Sequence, residues 1–362
     1  MRVLTVIGNR PQFVKAAAVS ARLRAVATEV MVHTGQHHDD DMSRVFFDEL
    51  GLPRPEHRLD LGGGSNTEQT AGMLTAVGAL LRVEAPDAVL VYGDTNSTLA
   101  GALAAAQARV PVAHVEAGMR SFDRGMPEEL NRVLTDHCAD LLLCPSAVSA
   151  AHLRAENVSG RVEVVGDVVV DVAALVAPRA RERTDVLERF GVRSGEYVVA
   201  TAHRAGNVDD PARLAALVEL LLAVPLALVL PLHPRTRARL QAAGLLGRLE
   251  ERVRLAPPLG YLEFTALLQQ ARAVVTDSGG VQKEAYLAGV PCVTLRDTTE
   301  WVETVDAGWN TLVDLDAGAV LTALERRPPP ERPPLYGDGR AGERVVRALV
   351  ALGGPSDRPV TL

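Results

Sequence analysis

Two acidic residues follow neighbouring apolar segments, each close to the point where a predicted strand ends. Asp94 comes two residues after the segment 88–92, and Glu116 comes directly after the segment 112–115. The carboxyl ends of parallel strands form the edge at which open α/β sheets bind ligands. Two carboxylates there repel each other, so they predict a compensating ligand, although Asp94 could instead cap the following helix.

A glycine turn later in the chain predicts a phosphate site. Ser278, Gly279 and Gly280 separate an apolar strand from a helix predicted over roughly 281–288. Free N–H groups and the positive end of the helix favour an anion at such a turn. Glu284 lies further along this helix, and its carboxylate is compatible with phosphate if it accepts ribose hydroxyl protons. The alternative is a tight turn followed by a surface glutamate.

Basic residues follow other predicted strands. Arg10 and Lys15 flank the start of the first helix, and His203 with Arg204 follows a strand in the second half. These positions suit an anionic ligand, and solvated surface charge is the alternative for the first pair. Phe264 could place a ring near a nucleotide base, but a lone aromatic residue more often packs in the core.

Two further polar clusters are, on their own, weak evidence for a functional site. The segment 34–42 contains two histidines and three aspartates, but consecutive residues rarely converge on one ion, and acids before a helix stabilise its N-terminus. We therefore expect no metal site. Glu128 and Arg132 are spaced as an ordinary pair on a helix surface.

The order of strands and helices predicts an α/β protein with two Rossmann-like, doubly wound domains. The alternation starts once at Val3 and again at Tyr197, and 362 residues exceed what one core normally supports. We predict an N-terminal domain over 1–167, a C-terminal domain over 168–340 and a final helix and tail over 341–362 that packs toward the first domain. The two domains are expected to face each other across a cleft.

Composition excludes several classes of protein. The net charge is −7 without a basic block, so nucleic-acid binding is not expected. No apolar segment has membrane-spanning length, and the N-terminus predicts a strand, not a signal peptide. The three cysteines lie in apolar segments, which favours buried thiols in a reducing cytoplasm.

Motifs along nearly the whole chain resemble the non-hydrolysing UDP-N-acetylglucosamine 2-epimerases. Each motif is weak alone, but their order is specific: Gly8–Pro11 with Lys15, Thr34–His37, Gly93–Thr95, His114–Gly118, Pro127–Arg132, Thr201–Arg204 and Thr276–Gly280. The resemblance implies a glycosyltransferase-B-like fold, usually dimeric, that interconverts UDP-GlcNAc and UDP-ManNAc without a redox cofactor.

The resemblance also implies a role for each candidate residue. The catalytic carboxylates would be Asp94, Glu116 and Glu128, and Arg132 and His203 match residues also needed for the reaction. The residues that match UDP-binding positions of the family, with Glu284 on the ribose, are Arg10, Lys15, His203, Ser278, Gly279, Gly280 and Glu284. Phe264 is a further candidate near the base, on its position in the sequence alone.

The implied chemistry explains why both cations and carboxylates are needed. The C2 proton of an acetamido sugar is not acidic until UDP departs from C1 and positive charge develops on the ring. Elimination would give a glycal and UDP, and re-addition would deliver a proton to the other face of C2. Two faces need at least two proton-transfer groups, and three carboxylates are available. Which carboxylate serves which face stays open.

Departures from the family pattern leave the substrate open. Gly206 replaces a usual Glu, Trp301 replaces a usual Arg, and the segment 299–303 resembles a subgroup that includes UDP-2,3-diacetamido-2,3-dideoxyglucuronate 2-epimerases. A uronate would need an additional cation, for which Arg120 and Arg124 are candidates. Residues 42–46 lack the glutamines that bind an activating UDP-GlcNAc, so this regulation is not expected.

Two other functions remain as alternatives. A glycosyltransferase of similar fold would need an acceptor groove, and a non-catalytic sugar-nucleotide sensor would bind UDP without exchange at C2. Polysaccharide and amino-sugar biosynthesis are the pathways that would use the product of such an epimerase.

Overall fold

A computed structural model describes residues 1–36 and 47–352 of the chain. These residues form two compact units. Unit 1 comprises Met1–Ala174 and the segment that begins at Tyr336, and unit 2 comprises Leu175–Leu335.

Unit 1 is built on a seven-stranded parallel sheet in the order β3-β2-β1-β4-β5-β6-β7. Its strands are β1 (Arg2–Ile7), β2 (Thr28–His33), β3 (His57–Arg58), β4 (Ala88–Tyr92), β5 (Val112–Val115), β6 (Leu141–Cys144) and β7 (Arg161–Val164). The helices are α1 (Arg10–Arg24), α2 (Asn66–Glu84), α3 (Asn96–Gln107), α4 (Pro127–Cys138), α5 (Ala147–Ala155), α6 (Val168–Arg181), which continues into unit 2, and α16 (Ala341–Leu352); residues 47–50 are also helical.

The central strands of unit 1 are apolar because helices cover both faces of the sheet. Every residue of β4 is buried, and the glycine of α3 lets that helix approach closely, since a Cβ on Gly101 would lie 3.1 Å from Val91. Helix α16 packs on α1, where a Cβ on Gly342 would lie 2.3 Å from the Ala18 carbonyl. Asp171 accepts the N–H groups of Ala341 and Gly342 and so fixes the start of α16.

Unit 2 is built on a six-stranded parallel sheet in the order β10-β9-β8-β11-β12-β13. Its strands are β8 (Tyr197–Thr201), β9 (Ala227–Pro231), β10 (Arg254–Ala256), β11 (Ala273–Thr276), β12 (Cys292–Thr294) and β13 (Asn310–Leu312). The helices are α7 (Thr184–Phe190), α8 (Ala205–Val208), α9 (Pro211–Ala223), α10 (Pro234–Ala242), α11 (Leu246–Glu250), α12 (Tyr261–Leu268), α13 (Gly279–Ala288), α14 (Val302–Asp306) and α15 (Ala317–Glu325).

The predicted fold class is confirmed. The strand order reverses between β1 and β4 in unit 1 and between β8 and β11 in unit 2. This reversal is the Rossmann-like arrangement. Ligands of such sheets bind outside the carboxyl ends of the strands at this reversal. No helix among the described residues is long and apolar enough to span a membrane.

Candidate active site

In unit 1 helix α1 and the turn after β5 bring a cation and a carboxylate together beside the turn after β4. Lys15, in the second turn of α1, forms an ion pair with Glu116, and both side chains are about nine-tenths buried. Gly93 makes room for the pair, since it has a φ of +66° and a Cβ there would lie 2.8 Å from Lys15 Nζ. Glu116 itself has a φ of +71°, which only a well-fixed turn sustains.

Asp94 has its own counterion on helix α4. Arg132 Nη2 donates to Asp94 Oδ2 at 2.6 Å, and Arg132 Nη1 donates to Glu129 at 3.2 Å. The neighbouring Asn131 donates to the Asp94 carbonyl at 3.0 Å. Arg132 is buried, so the expectation that Arg132 is an ordinary surface residue was wrong. Its guanidinium instead fixes Asp94 relative to α4.

Glu129 is a site-supporting residue that the sequence did not single out. It is buried and accepts hydrogen bonds from the N–H groups of Ser121 and Phe122 and from the Ser121 hydroxyl. Burial by itself would raise the pKa of Glu129, but these donors and the charge of Arg132 lower it overall. Glu129 therefore stays ionised and links the 121–122 loop to Arg132.

Glu128 differs from the adjacent Glu129 in burial and in hydrogen bonding. It is exposed in the first turn of α4, and within the described part of the chain it makes neither a hydrogen bond nor an ion pair. An exposed carboxylate at the start of a helix is free to meet a ligand and is stabilised there by the helix dipole.

The ion pairs of Arg132 and Lys15 contradict two predictions made from the sequence. The repulsion between Asp94 and Glu116 was expected to require a ligand, but Arg132 and Lys15 supply the compensating charges from within the protein. For Lys15 the alternative of a solvated surface charge was also wrong. Arg10 begins α1 directly after the Asn9 cap and is half-buried at the same edge of the sheet.

In unit 2 the predicted phosphate turn lies at the carboxyl end of β11. Ser278 is the N-cap residue of α13, which begins at Gly279, two residues earlier than predicted. The Ser278 side chain makes no capping hydrogen bond and the first turn of α13 has no acidic residue. A Cβ on Gly280 would find its nearest neighbour 4.0 Å away. Donors at the start of this ten-residue helix are thus arranged to favour an anion.

A buried aspartate, which the sequence analysis did not select, connects this turn to the His203 loop. Asp277 is fully buried and accepts the N–H groups of His203 and Arg204 at 3.0 Å and the Asn207 amide at 3.2 Å. The His203 side chain is partly exposed and its Nδ1 lies 3.6 Å from Asp277. Asp277 therefore holds the backbone of the predicted basic loop beside Ser278.

The environments of Glu284 and Phe264 are distinct. Glu284, in the second turn of α13, is half-buried as a residue, and burial of its carboxyl group raises its pKa to about 7 against the opposing charge of Lys283. Phe264 packs against the buried cluster that includes Leu268 and Ala285, which is the core alternative stated above.

Trp301 and Glu300 lie close to the first glycine of the turn. The Trp301 Nε1 and Glu300 Oε2 atoms are both 3.5 Å from a Cβ placed on Gly279. Burial alone would raise the pKa of Glu300, but two hydrogen bonds from Arg296 and the nearby charge of Arg204 bring it down to about 2. Lys283 Nζ lies 4.2 Å from the centroid of the Trp301 ring.

Not every candidate lies in the described residues. The His37–Met42 part of the histidine and aspartate cluster and the residues 42–46 discussed for activation lie outside them. Over the ranges 1–36 and 47–352, no group of three or more His, Cys, Asp or Glu side chains is placed to hold a metal ion.

Two Rossmann-like parallel sheets, each covered by its own helices, place the chain among the glycosyltransferase-B-like α/β proteins. The sequence model of the UDP-N-acetylglucosamine 2-epimerase family matches residues 21–350. The chain belongs to this family, whose members are isomerases.

Named relatives extend over almost the full chain. It is 46% identical to UDP-2,3-diacetamido-2,3-dideoxy-D-glucuronate 2-epimerase of Pseudomonas aeruginosa, over 97% of this chain and 100% of that protein. It is 40% identical to UDP-N-acetylglucosamine 2-epimerase of Methanocaldococcus jannaschii, over 96% and 99% of the two chains. A crystal structure of UDP-GlcNAc 2-epimerase from M. jannaschii in complex with UDP-GlcNAc and UDP superposes with a TM-score of 0.90 at 39% identity, covering 97% of this chain and 100% of that one.

The structure separates the two arginines that were candidates for binding a uronate. Arg120 is buried and forms ion pairs with Asp136 at 2.8 Å and Glu156 at 2.7 Å, so its charge is already balanced within unit 1. Arg124 is exposed in the loop before α4. Arg120 is therefore a poor candidate, and Arg124 remains one.

Proposed function

We propose that this protein epimerises C2 of a UDP-linked 2-acetamido sugar, with UDP-GlcNAc and UDP-ManNAc as the interconverted pair. The main support is the arrangement in unit 1, where three carboxylates of different environment follow β4, β5 and the start of α4. Asp94 and Glu116 form ion pairs with Arg132 and Lys15, and Glu128 is exposed. Inversion at carbon needs a proton taken from one face and returned to the other, which this set can provide.

In this proposal unit 2 binds the UDP moiety. The N–H groups at the start of α13, beside Ser278, Gly279 and Gly280, would hold the diphosphate, because unpaired donors and the helix dipole favour anions there. His203 and the unit 1 cations Arg10 and Lys15 would add positive charge. Glu284 would accept the ribose hydroxyl protons, and Phe264 supports the core beneath α13.

The reaction would proceed in two balanced steps. In the first, the C1–O bond breaks with its electron pair on UDP, and a carboxylate removes the C2 proton to leave 2-acetamidoglucal. In the second, a protonated acid delivers a proton to the opposite face of C2 while a UDP oxygen adds to C1. We propose Asp94, Glu116 and Glu128 as the proton-transfer groups, with Arg132 orienting Asp94 and His203 stabilising the departing diphosphate.

A second substrate deserves a direct comparison. UDP-2,3-diacetamido-2,3-dideoxyglucuronate is supported by the 46% identity to the Pseudomonas aeruginosa enzyme that bears this name. The exposed Arg124 could bind its C6 carboxylate, whereas Arg120 is already paired. Both substrates undergo the same elimination and re-addition, so they differ only in what is bound beyond C2.

The experiment is to incubate the protein with each UDP-sugar separately and to follow the anomeric proton signals by NMR. The proposal predicts that at least one substrate reaches an equilibrium of C2 epimers, and that Glu116→Gln lowers the rate by about 100-fold or more. An Arg124→Gln variant should affect the uronate and leave UDP-GlcNAc turnover nearly unchanged. If neither sugar is epimerised, the proposed function is wrong.

We also propose that the protein works as a homodimer in the cytoplasm. Its three cysteines are free thiols, two of them buried, which is compatible with a reducing compartment. Light scattering of the purified protein would measure the oligomeric state, and a monomer at micromolar concentration would contradict the proposal.

A further inference from the structure

Two buried side chains meet beside the turns that carry Asp94 and Glu116. His114 lies on β5 and Asp136 lies near the end of α4, and both side chains are completely buried. His114 Nδ1 is 2.7 Å from Asp136 Oδ1, and His114 Nε2 is 2.7 Å from the carbonyl oxygen of Gly93. The pair thus connects a helix and a strand to the residue that precedes Asp94.

The other oxygen of Asp136 binds the second turn. Asp136 Oδ2 accepts the Gly118 N–H at 3.1 Å and an Arg120 N–H at 2.8 Å. Gly118 has a φ of +78°, and a Cβ there would lie 2.3 Å from the Ser149 carbonyl, so its backbone has little room to move. Glu116, two residues earlier, is held with a positive φ, which persists only where the surroundings enforce it.

Asp136 also fixes the helix on which two other site residues lie. Glu128, Arg132 and Asp136 recur every fourth residue and therefore share one face of α4. Along this face, exposure decreases from the exposed Glu128 to the buried Asp136. Because Arg132 binds Asp94, anchoring α4 at Asp136 sets the position of both Asp94 and Glu128.

The partners of His114 indicate the direction of its two hydrogen bonds. The Gly93 carbonyl can only accept, and an ionised Asp136 can only accept, so both ring nitrogens of His114 must donate. Each ring nitrogen of His114 therefore has one acceptor, Asp136 Oδ1 on one side and the Gly93 carbonyl oxygen on the other. Burial opposes ionisation of Asp136, but the charges and hydrogen bonds of His114 and Arg120 lower its pKa overall.

The charged groups around the pair support the same assignment. Arg120 contacts Asp136 and is balanced on its other side by Glu156. Cys144 on β6 is near Asp136, and burial raises its pKa to about 12, so it stays neutral. Lys15 and Glu116, which lie beside Gly93, neutralise each other.

We propose that His114 and Asp136 are a positioning pair that fixes the turns of Asp94 and Glu116 and the helix of Glu128, and that transfers no proton in the reaction. The catalytic part of this inference rests on the proposed function. The hydrogen-bond part stands independently of the substrate.

The most direct test is Asp136→Asn, which keeps the shape of the side chain but replaces one oxygen by an NH₂ group. That group then faces a donor, since Asp136 accepts from His114, Gly118 and Arg120. His114→Gln keeps a donor that can reach the Gly93 carbonyl, whereas His114→Leu does not. His57→Gln is the matched control, because His57 also pairs with a carboxylate in unit 1, at 2.8 Å from Glu84, but lies on the edge strand β3. Epimerisation rates, UDP affinity and thermal unfolding are measured for all four.

We expect Asp136→Asn to lower kcat by about 100-fold, because small displacements of reacting groups have effects of this size. UDP affinity should stay within about threefold, since Asp136 bonds neither to the donors of unit 2 nor to Arg10 and Lys15 on α1. His114→Gln should retain more activity than His114→Leu, and His57→Gln should match the wild-type protein. The pH profile of kcat should keep both limbs in His114→Gln, because the pair itself does not exchange protons.

A folded Asp136→Asn protein with kcat within about threefold of wild type would overturn the inference. The loss of one limb of the pH profile in His114→Gln would also overturn it, since His114 would then transfer a proton. If the variants do not fold, ¹⁵N NMR of the wild-type ring decides: hydrogen-bonded N–H signals from both ring nitrogens support the pair, and a ring nitrogen without a hydrogen bond overturns it. A wild-type protein without epimerase activity would refute the proposed function, and the NMR result would still judge the pair.

Discussion

Lys15 and Glu116 form an ion pair between the second turn of α1 and the turn that follows β5. The contact connects a residue predicted to bind the nucleotide with one predicted to move a proton. It lies over Gly93, which has no side chain to obstruct it. The ammonium group therefore holds the carboxylate at the carboxyl edge of the sheet.

A double-mutant cycle measures this coupling. Lys15→Met and Glu116→Gln should each lower the free energy of unfolding, and the double variant should lose less than the sum, with a coupling of about 1–3 kcal/mol. The reason is that either single change leaves a largely buried charge without its partner. Urea unfolding of the four proteins provides the values, and additivity within about 0.5 kcal/mol would contradict the pairing.

The adjacent glutamates of α4 should separate stability from activity. Glu128→Gln should lower kcat by about 100-fold and change the free energy of unfolding by less than about 0.5 kcal/mol, because Glu128 is exposed. Glu129→Gln should destabilise the protein by about 2 kcal/mol, because its buried carboxylate accepts several hydrogen bonds. Denaturant unfolding and NMR rate measurements on both variants test this, and a destabilised but active Glu128→Gln protein would be the opposite result.

The raised pKa of Glu284 predicts that removing its carboxyl group stabilises the protein, and that the gain depends on pH. With a folded pKa of about 7 against an ordinary 4.5, the folded protein retains a proton that the unfolded chain loses across this interval. The carboxyl group of Glu284 therefore lowers the free energy of unfolding only slightly near pH 5 and by its full amount above pH 7. Glu284→Gln should stabilise the protein by about 2 kcal/mol at pH 8 and by much less at pH 5. Equal effects at both values would show that the carboxyl group is ionised throughout.

The same group should report on nucleotide binding. If ribose hydroxyls donate to Glu284, UDP favours the carboxylate and its binding releases a proton near pH 7. Calorimetric titrations in buffers of different ionisation enthalpy would measure this release. Glu284→Gln is the control and should show none.

The contribution of Glu300 to stability should depend on pH in the opposite direction to that of Glu284. Its folded pKa of about 2 lies below the ordinary 4.5, so its stabilisation is complete above pH 4.5 and is lost as the pH falls toward 2. Glu300→Gln should cost about 3 kcal/mol at pH 7, and about half of that near pH 3. Urea unfolding at the two pH values tests the prediction, and a pH-independent cost would mean that the loss is one of packing.

The alternation of apolar strands and helices was sufficient to predict both sheets, because parallel strands buried on two faces leave a strong pattern. The strand ends also located Asp94, Glu116 and Ser278 correctly at the carboxyl edges. Local pattern was enough for these features because each depends on a strand and the turn that directly follows it.

The partners of these residues could not be predicted. Arg132 was assigned to the helix surface because its spacing from Glu128 is that of an ordinary pair, but the structure directs it to Asp94, 38 positions away. Asp277 and the contact of His114 with Asp136 were missed for the same reason. Long-range contacts depend on how helices pack, and a single sequence carries no direct record of that.

The most direct test of the account follows hydrogen at C2. UDP-GlcNAc is incubated with the protein in heavy water, without any acceptor, and deuterium is located by NMR and mass spectrometry. We expect deuterium at C2 of both UDP-GlcNAc and UDP-ManNAc, and its incorporation should be lost in Asp94→Asn and Glu116→Gln. Tight binding of UDP-GlcNAc with C2 remaining fully protonated, and the same result with the diacetamido uronate, would contradict the account.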